Sequence, residues 1–177
     1  MPRKINTVGG GNQTNVNGLA FEQQTTLEDA LLNAGFLIGD DDFIYIGKEN
    51  VGKLVQKNKL YKNFLEPNGV NYKDFISKRL LPDDCFVNFR NKTVYVIEKK
   101  FQHSPGSVDE KLQTCDFKRK QYKKLLSSVN YDVKYIYLLC DWFKRYEYTD
   151  VLKYIKEMEC DYYFNEIPLD VIELDDK

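Results

Sequence analysis

The 177-residue chain, 42% hydrophobic and 14% aromatic, has the composition of a folded domain, which excludes a disordered or low-complexity protein. A formal net charge of −1 excludes coating of nucleic acid through overall charge, though not binding through a limited cleft. A single histidine (His103) and four scattered cysteines (Cys85, Cys115, Cys140, Cys160) with no C-x-x-C pair exclude zinc fingers and zinc hydrolases.

The length suits one domain over 1–177. No apolar run approaches the roughly 20 residues that span a bilayer, and the first residues lack the apolar stretch of a signal peptide. The expectation is a soluble cytoplasmic protein.

Residues 8–17 are Gly/Asn-rich and hold no regular element; no Gly-Lys-Ser/Thr follows the three glycines, so they are not a phosphate loop. A helix is predicted over 17–34, with Asn17 as N-cap and Gly35 at its C-terminal end. Residues 43–47 read as a short core strand; Tyr45-Ile46-Gly47 lacks the upstream half of a GIY-YIG signature. A second strand is placed at 53–61, a helical turn at 61–65 and a short helix at 71–79.

The clearest stretch follows. Residues 85–89 and 93–100 form two strands joined by Arg90-Asn91-Lys92. A helix over 108–127 carries the apolar stripe Val108, Leu112, Cys115, Tyr122 and Leu126. The apolar run 133–142 is a strand covered on both faces. A helix over 149–158, capped by Thr149 or Asp150, precedes short strands at 161–164 and 171–174. This order predicts an α/β fold, a mixed β-sheet flanked by helices.

The chemistry gathers on the second strand of the hairpin. Side chains alternate, so Val94, Val96, Glu98 and Lys100 share one face, with the two charges roughly 7 Å apart along the strand. Charges that extend an apolar face are costly to bury unless paired or bound to a metal. The hairpin brings Asp83-Asp84 beside the end of this strand. Asp83 and Glu98 are then hard oxygen ligands for Mg²⁺, and Lys100 positions or deprotonates an attacking water. A register shift of one residue would put Asp84 in the place of Asp83.

Four blocks in order carry a resemblance: Asn17-Gly18-Leu19-Ala20-Phe21-Glu22, Pro82-Asp83-Asp84, Ile97-Glu98-Lys99-Lys100-Phe101-Gln102, and residues 106–114. Over about residues 12–122 the chain resembles type II restriction endonucleases of the PD-(D/E)XK superfamily. The resemblance implies a restriction-endonuclease-like αβββαβ core, Asp83 and Glu98 as Mg²⁺ ligands and Lys100 as the catalytic lysine. It further implies Glu22 as an auxiliary acid facing the metal, Gln113 as a polar helix residue near the site, and a cognate DNA methyltransferase in the host. The basic run Lys118, Arg119, Lys120, Lys123 and Lys124 is expected to contact DNA phosphates, and His103 is a candidate DNA contact. A palindromic site is most simply cut by a homodimer. Two rivals stand beside this reading: a structure-selective or repair nuclease, and a non-catalytic nucleic-acid- or protein-binding module.

Overall fold

The computed structural model describes residues 18–21, 25–106 and 108–174. Its centre is a seven-stranded sheet whose strands lie in chain order: β1 (Leu37–Ile38), β2 (Phe43–Ile46), β3 (Glu49–Leu54), β4 (Asp84–Asn88), β5 (Thr93–Lys100), β6 (Asp132–Leu139) and β7 (Asp161–Phe164). Neighbours from β1 to β5 are antiparallel; β5, β6 and β7 run parallel. The architecture is therefore α/β with a mixed sheet, as expected. Antiparallel neighbours need only short turns, whereas each parallel step requires a crossover. Helices α2 (Val108–Leu112) and α3 (Cys115–Leu126) supply the first crossover, and α4 (Thr149–Glu157) the second.

Two cores result. On one face the stripe of α3 (Cys115, Tyr122, Leu125, Leu126) and a π-helical turn (Leu60–Leu65) cover Cys85, Val87, Val94, Val96, Tyr135 and Tyr137. On the other, α1 (Leu27–Asn33) and a 3-10 turn (Leu169–Ile172) cover Phe86, Tyr95, Ile97, Ile136 and Leu138. The strict alternation along β4, β5 and β6 assigns every second side chain to the opposite core.

Several boundaries differ from the sequence reading. The helix expected over 17–34 is a turn at residues 18–21 and then α1, whose N-cap is Thr26, accepting from the Asp29 N–H. Asn17 lies outside the described residues. Gly35 does follow the helix end as expected: its φ of +88° lets the Phe36 N–H reach the Leu31 carbonyl at 3.0 Å. The strand placed at 53–61 is β3, ending at Leu54. The helix expected at 71–79 is one 3-10 turn, Tyr72–Asp74. The helix over 108–127 breaks between α2 and α3, where the Thr114 hydroxyl donates to the Lys111 carbonyl at 2.7 Å. The strand expected at 171–174 is instead part of a 3-10 turn. The N-cap of α4 is Tyr148 rather than Thr149 or Asp150, and the Thr149 hydroxyl donates back to the Tyr146 carbonyl at 2.6 Å. No helix among the described residues is long and apolar enough to cross a membrane.

Gly52 sits where β3 bulges against β2. A Cβ there would collide with the Phe86 ring and the Val87 carbonyl oxygen of β4. Gly52→Ala is expected to lower the urea midpoint by an amount equivalent to about 1–3 kcal/mol, the cost of overpacking. An unchanged midpoint would mean that β3 and β4 separate freely here.

Candidate active site

The site lies at the sheet rim where β5 ends and β4 begins. Asp84 pairs with Ile97 in the antiparallel register, so Asp83, one residue ahead of β4, is level with Glu98. Asp83, Glu98 and Lys100 therefore face the α3 side together. The Asp83 carboxylate accepts the Lys99 N–H at 2.8 Å. The Lys100 ammonium lies 3.1 Å from Glu98 Oε2 and 3.9 Å from Asp83 Oδ2, and donates to the Lys99 carbonyl at 2.9 Å. Three groups predicted to meet from spacing alone do meet.

Asp84 and Lys99 point the other way. They form an ion pair of 2.7 Å with both side chains almost fully buried, and Asp84 Oδ2 also accepts the Leu27 N–H of α1 at 3.1 Å. Asp84 thus belongs to the opposite face, tying α1 to the sheet, and does not stand beside Glu98. A strand flips its side chains at every residue, and the register follows from the apolar residues behind them.

Lys118 is the addition. It projects from α3 and donates to Glu98 Oε2 at 3.0 Å, so one carboxylate oxygen holds two ammonium groups. The sequence groups it with Arg119, Lys120, Lys123 and Lys124 as one basic run toward DNA phosphates. That face does not exist as one surface. Arg119 is buried and pairs with Glu159, joining α3 to the turn after α4. Lys120 bonds Asp116 at 2.6 Å one helical turn away, Lys123 lies 3.8 Å from Asp132, and Lys124 is exposed. Successive helix residues step about 100° around the axis, which disperses a contiguous run of charge. Gln113 is exposed and lines a cleft with Tyr148, Val151 and Tyr154 rather than joining the carboxylates. His103 is exposed and stacks on Phe101 with ring centroids 6.1 Å apart. Glu22 lies outside the described residues.

Burial dominates the electrostatics at Asp83. Burial raises its pKa above the ordinary 3.8, more than the opposing pull of Lys100 and the Lys99 N–H can lower it, and the charge of Glu98 adds to the rise. Behind Glu98 the Tyr122 hydroxyl is buried with no hydrogen-bond partner among the described residues, and burial, then the Glu98 charge, push its pKa far up, so it remains neutral. Among the described residues no group of three or more His, Cys, Asp or Glu gathers to hold a metal ion. The pair present matches the donor count of Mg²⁺, which takes one or two carboxylates and leaves its remaining positions to water and substrate phosphate. No protein-family model, curated protein or solved structure matches the chain.

Proposed function

We propose that the chain is a Mg²⁺-dependent endonuclease that hydrolyses phosphodiester bonds of double-stranded DNA, of the PD-(D/E)XK restriction type. The observation that carries the reading is the convergence of Asp83, Glu98 and Lys100 on one face at the end of β5, with Lys118 joining from α3. The order of elements is compatible with it: after α1 and the strands β1 and β2, the antiparallel strands β3, β4 and β5, a helical crossover and β6 parallel to β5 would supply the αβββαβ core. Asp83 and Glu98 would hold the ion. When bound, Mg²⁺ lowers the pKa of its water and neutralises charge on the phosphate.

The chain's own groups do the rest. Lys100 is fixed from three sides by Glu98, Asp83 and the Lys99 carbonyl, so its ammonium is already in place to orient the attacking water and to offset charge on a phosphate oxygen. Lys118, more exposed than Lys100, reaches over the rim to a backbone phosphate. Two lysines balance two carboxylates, so the added ion makes the rim net positive where an anionic backbone arrives. Recognition of a palindromic site would call for a second copy of the chain and, in the host, a protecting methyltransferase.

The test is incubation of the purified protein with long DNA of mixed sequence, with Mg²⁺ or with EDTA. Discrete fragments that require Mg²⁺ and vanish in Glu98→Ala are the expected result; a smear or a preference for branched substrates would favour the structure-selective rival. Absence of cleavage under Mg²⁺ and Mn²⁺ alike would overturn the enzymatic reading.

A further inference from the structure

Helix α3 has two opposite faces. Cys115, Arg119, Tyr122 and Leu126 are buried on one of them. On the other, Phe117, Lys120 and Lys124 fall within about 60° of one another around the axis, and all three are exposed. Phe117 is 63% exposed; it and Tyr146, at 92%, are the only exposed Phe, Tyr or Trp side chains among the described residues. Exposed rings of this kind are what protein interfaces collect at their centres, with polar residues around them. Four residues ahead of Phe117, Gln113 lines an open cleft of about 720 Å³ with Glu147, Tyr148, Asp150, Val151 and Tyr154. Tyr148, Val151 and Tyr154 give the cleft apolar walls, and Glu147 and Asp150 bring it acid. Of the charges on these two surfaces, Lys120 is held by Asp116 at 2.6 Å, and Glu147 lies 4.0 Å from Arg145. Lys124 on the helix face and Asp150 at the cleft have no ion-pair partner among the described residues.

We propose that the outward face of α3 and this cleft are the two halves of one homodimer interface, in which Phe117 of each copy enters the cleft of the other and Lys124 of each pairs with Asp150 of the other. A two-fold interface uses one patch twice, so it needs a projection and a recess close together on the same surface. Gln113 links them here, at the cleft wall and four residues from the ring. The unpaired charges are of opposite sign, one on each half, which is what a second copy of the chain would match. Exposed lysines also suit DNA, but DNA phosphates offer the Phe117 ring no apolar partner, whereas Val151 and Tyr154 do. Phe117 directly precedes Lys118, so the interface would border the rim of each copy. The interface stands on its own observations; that it would bring two cutting sites to one duplex rests on the nuclease reading.

The experiment is analytical ultracentrifugation of the full chain without DNA, over a wide range of protein and salt concentrations. A reversible monomer–dimer equilibrium that weakens as salt is added is expected. Phe117→Gln should raise the dimer dissociation constant by about 30-fold or more, the loss of an aromatic anchor. Its Tm, measured dilute enough to keep the chain monomeric, should not fall, because the ring is exposed in the single chain. Lys124→Glu and Asp150→Lys should each weaken self-association, since each sets like charges against one another at both contacts. Mixing these two variants should restore the dimer, because a mixed pair carries only opposite charges at both contacts; no role within one chain can be rescued by mixing. A chain that stays monomeric at every concentration, a dimer indifferent to Phe117→Gln, or a mixture no more associated than its two components would overturn the proposal. A dimer with these properties that cuts no DNA would uphold the interface and remove the nuclease reading; a monomer that cuts DNA would do the reverse.

Discussion

Asp84→Ala is expected to destabilise the protein by about 3–5 kcal/mol, since it removes a buried carboxylate that pairs with Lys99 and accepts the Leu27 N–H. Its Tm should fall by roughly 10 °C or more at this chain length. Lys99 would be left 3% exposed beneath α1, and the Leu27 N–H would lose its acceptor. Asp83→Asn, one residue away, should do the opposite in metal-free solution. The folded state raises the pKa of Asp83. Its ionisation is therefore a burden on the fold that is absent below the ordinary 3.8 and grows as pH rises through and beyond that value. Asparagine removes the charge and keeps an acceptor for the Lys99 N–H. At pH 8 in EDTA the Asp83→Asn protein should melt at or above the parent, with the gap closing as the pH is brought toward 3.8. Added Mg²⁺ should then raise the Tm of the parent only, by mass action on the folded state. Thermal melts of both variants across pH, with and without Mg²⁺, check all of this. An Asp83→Asn protein that is clearly less stable than the parent at pH 8 would mean that Asp83 serves the fold rather than a cation.

The opposite fates of these neighbours explain what the sequence reveals and what it hides. Strand β5 is legible to the residue because Thr93-Val94-Tyr95-Val96-Ile97 is β-branched and aromatic throughout, and because polar turn residues bound it. From there alternation alone puts Glu98 with Lys100. The pairing of Asp83 with Glu98 needs the register of β4, and β4 begins at Asp84 rather than at Cys85. A one-residue shift of that kind lies below what local patterns resolve, yet it decides which carboxylate meets Glu98. Strand β3 was misplaced because its bulge at Val51 interrupts the period-two pattern and its first residues, Glu49 and Asn50, are polar. The pattern Val171-Ile172-Glu173-Leu174 fits a strand and a tight turn equally well over four residues; the packing of Ile172 and Leu174 under the sheet decides it. Lys118 has no local mark that separates it from Lys120 or Lys124. Its role follows from where the stripe of Cys115, Tyr122 and Leu126 seats α3 on the sheet, which is a tertiary fact.

Lys100 and Lys118 hold the same oxygen of Glu98 but should fail differently when removed, and the difference follows from their surroundings. Lys100 is held by three oxygen groups, whereas among the described residues Lys118 pairs with Glu98 alone and is about twice as exposed, 27% against 14%. Lys100→Ala is expected to lower the cleavage rate by about 10²–10⁴-fold, the usual span for a positioned proton-handling group, with little change in DNA affinity. Lys118→Met should act first on binding. Loss of one phosphate contact reduces the slope of log affinity against log salt by about 0.9. It also removes an ammonium that competes with a divalent cation for Glu98 Oε2, so the Mg²⁺ concentration for half-maximal cleavage should fall even as DNA binding weakens. Steady-state cleavage across Mg²⁺ concentration, together with binding titrations at several salt concentrations in Ca²⁺, separates the two. If Lys100→Ala cuts at the parent rate, the lysine on β5 is a partner of Glu98 and nothing more. If Lys118→Met leaves the salt slope and the Mg²⁺ requirement where they were, α3 braces the carboxylate without touching the backbone.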